Sequence, residues 1–248
     1  ALGNCSDVVS GTFACFNGDI ISSLKVDELL NLHKKNGGIG SLGLWRVDNP
    51  SRFGIVGIDE GSKITKFMEK PKPEEVFSNL INAGSYIFDD DIFDFIPPGK
   101  NSIEREVFPK LADDRLLNGL EFSGFFIDSG TRESWCDAVR TCIKNERFSS
   151  GDVCGKSWFE NPAGNVDEGS IIFDSMIEKN TEILNSKIDN STILSGTRIS
   201  SNVHLASSLV GRNVVIGKNS VISNCIIDHD SLIPEDTVLS DSKWPLID

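Results

Sequence analysis

From Ile171 onward an aliphatic residue returns at every sixth position, shortened at intervals to five: Ile171, Ile177, Ile183, Ile188, Leu194, Ile199, Leu205, Val210, Ile216, Ile222, Ile227, Ile233 and Leu239. Neither the 3.6-residue period of a helix nor the two-residue alternation of a strand produces this spacing. It suits a chain that turns a corner after each short strand. Three steps then close one triangular coil, and the aliphatic side chain of each step points into a shared interior. Gly211, Asn213, Gly217, Asn219 and Ser220 fall between the aliphatic positions, where tight turns need small or polar residues. The expected architecture for 166–248 is a left-handed parallel β-helix of hexapeptide repeats, with roughly four coils or slightly more. A coil is stabilised by its neighbours, and an aliphatic-rich solenoid commonly packs on a copy of itself, so a homo-oligomer is expected.

The chain before position 148 reads differently, as short apolar runs alternating with helical patterns, which is the α/β class. Thr12–Phe16 is an expected strand ending at Asn17-Gly18-Asp19. Ser23 is placed to cap a helix with Val26, Leu29, Leu30 and His33 on one face. Ile39–Trp45 is a second strand. Phe53–Ile58 and Lys63–Met68 are separated by Asp59-Glu60-Gly61-Ser62, a hairpin connection. Ile81–Phe88 is a loop running into another strand. Trp135, Ala138, Val139, Cys142 and Ile143 mark an amphipathic helix capped by Thr131. Residues 1–147 are therefore expected to form one domain. The Ser-, Gly-, Asn- and Pro-rich stretch 148–165 has no period and is expected to be a linker.

With 24 Lys and Arg against 37 Asp and Glu, the net charge of −13 repels nucleic acid and anionic lipid over most of the surface. No apolar run approaches the roughly 18 residues of a membrane span, and no basic segment followed by an apolar core opens the chain. The six cysteines lack CxxC spacing, so reduced, mostly buried thiols in a cytoplasmic protein are expected rather than a zinc site or disulfides.

Ligands of an open α/β sheet collect at the carboxyl ends of its strands. Asp19, after Phe16-Asn17-Gly18, and Asp128, after Phe125-Phe126-Ile127, are both strand-end carboxylates. Two such groups suit Mg²⁺, which takes few protein oxygens together with phosphate oxygens. Taken singly, an Asp after a strand is more often a turn or helix cap. Glu69-Lys70-Pro71 offers an acceptor for sugar hydroxyls beside a cation for a sugar phosphate, and Asn82-Ala83-Gly84 offers an amide with close backbone approach.

In order, Gly18-Asp19, Arg52-Phe53-Gly54-Ile55-Val56, Lys66-Phe67-Met68-Glu69-Lys70-Pro71, Asn82-Ala83-Gly84-Ser85-Tyr86, Ser102-Ile103-Glu104-Arg105-Glu106-Val107-Phe108-Pro109, Asp128-Ser129-Gly130-Thr131 and the hexapeptides resemble one family. It is the nucleoside-diphosphate-sugar pyrophosphorylases, which include mannose-1-phosphate guanylyltransferase and glucose-1-phosphate thymidylyltransferase. The resemblance implies a Rossmann-like nucleotidyltransferase domain, incomplete at its N-terminus, followed by the β-helix. It implies an enzyme that forms an NDP-sugar and pyrophosphate from an NTP and a sugar-1-phosphate. Asp19 and Asp128 match the metal-binding aspartates, Lys70 the sugar-phosphate contact, and Gly18, Gly54, Glu69, Asn82 and Gly84 the substrate pocket, with Mg²⁺ as cofactor.

The family's glycine-rich signature has no counterpart after Ala1. An upstream segment is therefore expected, the chain alone is expected to be inactive, and its sheet is expected to show an apolar centre. Base and sugar are left open. Two other readings stand beside this one: a non-catalytic regulatory or scaffold homologue, and a β-helix acyltransferase using His204 or His229.

Overall fold

Leu80–Phe88, apolar at both ends with Asn82, Gly84 and Ser85 between, becomes the central strand of a mixed sheet, with every one of its residues buried. The computed structural model describes residues 2–160 and 165–245, and these divide into two units, Ala1–Phe126 and Ile127–Asp248. The first unit contains β1 (Phe13–Phe16), β2 (Ile20–Ser22), α1 (Val26–Asn36), β3 (Gly40–Arg46), β4 (Gly54–Ile58), β5 (Ile64–Glu69), β6 (Leu80–Phe88), α2 (Phe108–Asp113) and β7 (Leu117–Glu121).

The sheet order is β5-β4-β6-β3-β7, with β1 also paired to β6. Only β3 and β7 run parallel; the pairings of β6 with β1, β3 and β4 are antiparallel. The core is rich in aromatic rings: Phe67, Tyr86, Phe88 and Phe108 pack together with Leu42, Leu44, Val56, Ile64 and Leu111. An exposed apolar centre is not what the structure shows, because β6 is covered throughout and so is most of β3.

The hairpin between β4 and β5 closes as expected, with Asp59 Oδ1 accepting the N–H groups of Gly61 and Lys63, both at 2.9 Å. The cap of α1 does not. Lys25 occupies the cap position without a side-chain bond to the helix backbone. Ser23 instead accepts the Phe125 N–H at 2.9 Å and donates to the Ser123 carbonyl at 2.8 Å, so tertiary pairing wins over local capping.

Residue His33 of α1 is 3% exposed. Its Nδ1 lies 3.0 Å from Ser41 Oγ and its Nε2 lies 3.3 Å from Asp89 Oδ2. The order Ser-His-Asp resembles a hydrolase triad, but Ser41 is fully buried within β3 and bonded by Asn118 at 3.1 Å. No substrate carbonyl reaches such a hydroxyl. The arrangement is a structural clip between helix and sheet.

The second unit contains the solenoid, a parallel β-helix of about five turns. Ile188 stacks on Leu205, Leu205 on Ile222 and Ile222 on Leu239, which sets these coils at 17 residues, two steps of six and one of five, whereas Ile172 stacks on Ile188 and Ile177 on Ile193 after 16. The interior is a column of buried aliphatic side chains. At two places the inward residue is the neighbour of the expected one: Ile172 and Ile193 face inward, whereas Ile171 is 62% exposed and Leu194 lies outside the column. Both lie where two aliphatic residues are adjacent, and stacking on the next coil decides between them.

The corners carry Asn or Asp in the left-handed conformation, with φ near +55°, at positions such as Asn202, Asn213, Asn219, Asn224, Asp230, Asp236 and Asp241. Their short polar side chains tolerate this conformation. They also stack into ladders. Asn202 donates to Asn219 and Asn219 to Asp236, at 3.0 and 2.8 Å, while Asn213 donates to Asp230 and Asn224 to Asp241.

The amphipathic helix α3 (Arg132–Lys144) has Thr131 as its cap, accepting the Ser134 N–H. It packs on the solenoid side of the division. Val139 and Ile143 join Trp158 and Met176 in one apolar cluster, and Trp135 Nε1 donates to Thr192 Oγ1 at 3.2 Å. The contact boundary thus falls after Phe126, earlier than the expected 147. The stretch 148–165, expected to be a linker, instead contains a hairpin of Asp152–Cys154 and Ser157–Phe159, and the second strand begins the stack by pairing with Met176–Ile177. The part of this stretch at 161–164 lies outside the described residues. All six cysteines are free; Cys136 and Cys225 are buried and Cys154 is exposed.

Candidate functional site

The carboxyl end of β5 and the strand β6 bring together Glu69, Asn82 and Tyr86, which join Glu104 from a five-residue π turn, Ile103–Val107. Asn82 is 7% exposed. Its Nδ2 donates to Tyr86 Oη at 2.9 Å and to Glu104 Oε1 at 3.2 Å, and its Oδ1 accepts the Gly84 N–H at 3.2 Å. Both amide hydrogens are therefore engaged inside the protein, and one Oδ1 lone pair remains for a ligand.

The side chain of Glu69 is 8% exposed, and its cationic partner, Lys70 Nζ, stands 3.7 Å away. Burial, and then the neighbouring Glu104 carboxylate, push Glu69 above the usual carboxylate range, against the pull of Lys70 and Arg105. Burial likewise pushes the Tyr86 hydroxyl far above its ordinary value. Lys70 itself is exposed and holds a positive φ of 48° at the turn after β5, with its N–H on the Phe53 carbonyl at 3.0 Å.

Two glycines shape this cluster. A Cβ on Gly54 would lie 2.6 Å from Phe67 Cζ and 2.9 Å from Glu69 Oε2, so the carboxylate sits directly over the glycine backbone. Gly84 has φ +65°, and its carbonyl accepts the Asn17 N–H at 2.8 Å, which ties β6 to the loop Asn17-Gly18-Asp19. In that loop Gly18 faces open space and Asp19 is exposed. The other predicted carboxylate, Asp128, ends β8 (Phe126–Asp128) and belongs to the second unit. It is half-buried, and its Oδ1 accepts the Gly130 N–H at 3.1 Å, a turn bond.

Sequence reasoning gave Tyr86 and Glu104 no role. Glu104 enters the sequence reading only as one residue of the motif Ser102–Pro109, ahead of the buried pair Val107-Phe108. What it touches, Asn82, lies 22 positions away.

Residues 3–145 match the nucleotidyl transferase family, and residues 162–243 match the GlmU-like C-terminal hexapeptide family. The chain belongs to the nucleotidyl transferase family. The chain is 41% identical over 119 residues to "Mannose-1-phosphate guanylyltransferase catalytic subunit beta" of Dictyostelium discoideum, covering 48% of this chain and 33% of that protein. To "Mannose-1-phosphate guanylyltransferase 1" of Arabidopsis thaliana it is 35% identical over 139 residues, covering 56% and 38%. To the Drosophila melanogaster catalytic subunit beta it is 37% identical over 121 residues, covering 49% and 32%. The chain thus spans about a third of the length of the curated relatives it matches.

Among the described residues, no three His, Cys, Asp or Glu side chains gather as a metal cluster, and no helix is long and apolar enough to cross a membrane. On the solenoid, His204 is exposed. His229 lines an apolar cleft of about 200 Å³ with Trp135, Leu209 and Ile226. Its Nδ1 accepts the Arg212 N–H at 2.8 Å, which assigns the proton of the neutral ring to Nε2. The outward nitrogen then has no lone pair with which to deprotonate an acyl acceptor.

Proposed function

We propose that the chain supplies the sugar-phosphate pocket and metal-binding carboxylates of a sugar-1-phosphate nucleotidyltransferase, with mannose-1-phosphate and GTP as the leading substrates. The observation that carries the reading is Glu69, a nine-tenths buried carboxylate seated on Gly54 beside Lys70 at the end of a strand. A buried acceptor next to an exposed cation matches a ligand with hydroxyls at one end and phosphate at the other. The names of the relatives support the choice of sugar and base.

In the reaction, an oxygen of the sugar-1-phosphate attacks the α-phosphorus of the NTP, the bond to the bridging α–β oxygen breaks, and pyrophosphate leaves with that oxygen. Glu69 holds the sugar hydroxyls, and Lys70 balances the sugar phosphate. The backbone at Gly54 and Gly84 allows close approach to the ring. Asp19 and Asp128 would each offer hard carboxylate oxygens of the kind Mg²⁺ takes, and Mg²⁺ would supply charge to offset the repulsion between two anionic substrates. Holding the two anions together is itself the larger part of such catalysis.

The test is pyrophosphate release by the full natural polypeptide from a panel of sugar-1-phosphates and NTPs with Mg²⁺. Turnover that falls at least a hundredfold in Asp19→Asn and in Lys70→Ala supports the reading. Silence across the panel defeats it in favour of a regulatory homologue.

A further inference from the structure

We propose that Glu104 is a second sugar-binding carboxylate of this pocket, and that Asn82 acts mainly as the positioning residue that aims it. The inference rests on the sugar-phosphate reading above and adds to it the residue that determines which sugar fits.

The amide of Asn82 is committed on three sides, to Tyr86, Glu104 and the Gly84 N–H. Glu104 spends Oε1 on Asn82, which leaves Oε2 as an acceptor. It stands close enough to the buried Glu69 for the two charges to interact. Two neighbouring carboxylates, one of them nine-tenths buried, are an unfavourable choice for stability alone. Lys70 at 3.7 Å and the nearby Arg105 offset the pair only in part.

What satisfies such a pair is a neutral group with several adjacent O–H donors and no negative charge at that end. The ring of a hexose has this character. Its phosphate would be repelled by both carboxylates and drawn toward Lys70, so the same charges that hold the ring also orient it. The position of Glu104 is fixed by a π turn, in which the Phe108 N–H reaches back to the Ile103 carbonyl, and by its bond to Asn82. An acceptor held on two sides discriminates between axial and equatorial hydroxyls better than a mobile one.

The experiment is calorimetric titration of the wild-type chain, Glu104→Gln and Asn82→Ser with mannose-1-phosphate, glucose-1-phosphate, their monodeoxy analogues and inorganic phosphate. Gln keeps an oxygen for the Asn82 amide and removes the charge. It is expected to weaken binding of the preferred hexose-1-phosphate roughly tenfold to a hundredfold, with inorganic phosphate unaffected. One deoxy analogue should bind weakly to wild type and lose nothing further in Glu104→Gln. That analogue identifies the hydroxyl.

Asn82→Ser should lower the preference between the two hexoses while leaving phosphate binding in place. Wild-type affinities retained in Glu104→Gln would overturn this inference alone. So would equal losses for hexose-1-phosphate and inorganic phosphate with a lowered melting temperature, since that marks a structural role. A wild-type chain that binds none of the hexose-1-phosphates overturns the underlying reading with it.

Discussion

Gly54→Ala should disable the pocket without adding or removing a charged group. The added methyl carbon would stand 2.6 Å from Phe67 Cζ and 2.9 Å from Glu69 Oε2, whereas carbon atoms in contact prefer about 3.5–4.0 Å. One of the two neighbours must retreat by about 1 Å. Phe67 is 5% exposed and packs edge-on against Phe108, so it has little room. Overpacking of this kind costs about 1–3 kcal/mol, which for a unit of this size lowers the melting temperature by roughly 5–10 °C.

Displacing Glu69 by the same distance should weaken hexose-1-phosphate binding by about tenfold to a hundredfold. Gly57, on the same strand, is the control. Its added carbon would meet Phe77 and Thr65 at 3.4 Å, an ordinary contact, and Ala there should change stability by less than about 1 kcal/mol. Thermal denaturation followed by circular dichroism, with calorimetric titration of the sugar phosphate, reads both effects. If Gly54→Ala and Gly57→Ala melt together and bind alike, the close seat of Glu69 on Gly54 is not what shapes the site.

Because the folded-state pKa of Glu69 is raised, its protonated form favours the fold. Its contribution is present below the usual carboxylate range and is lost as pH rises through the folded-state value. Glu69→Gln should therefore be more stable than wild type at neutral pH, with the difference closing as the pH falls toward the usual carboxylate range, read from urea midpoints across that window. Replacing His33 by Ala removes a buried bridge to Ser41 and Asp89, and a loss of about 2–4 kcal/mol is expected by chemical denaturation. Asn219 holds φ +59° and sits in the middle of a ladder. Asn219→Ala should cost about 1–2 kcal/mol and Asn219→Gly less, since glycine keeps the backbone freedom and loses only the side-chain bonds.

The solenoid was the most legible part of the sequence because its interior repeats one decision many times. Even so, Ile171 and Leu194 misled where an adjacent aliphatic residue competed for the inward place, and only stacking across coils settles that choice. The hairpin at Asp59 and the cap at Thr131 were legible because their partners lie within four residues. Ser23 had the right chemistry for a cap and found better partners a hundred positions away.

In the site, strand-end placement made Glu69, Lys70 and Asn82 visible as candidates. The engagement of both Asn82 amide hydrogens and the recruitment of Glu104 depend on a turn whose path the sequence does not disclose. The clip of Ser41, His33 and Asp89 was likewise hidden, since His33 reads as one more position on an apolar helix face.

The corner ladders give the solenoid a direction as well as a shape. Each Asn passes a hydrogen to the coil after it, but a carboxylate accepts one and has none to hand on. Asp230, Asp236 and Asp241 receive the ends of three ladders, at the three corners of a single coil. The relay therefore halts around one complete turn, which wears a collar of three negative charges. Two such collars repel one another, so copies of this chain should resist packing collar to collar; sedimentation of the triple Asp→Asn variant, which removes the collar, should reveal greater self-association.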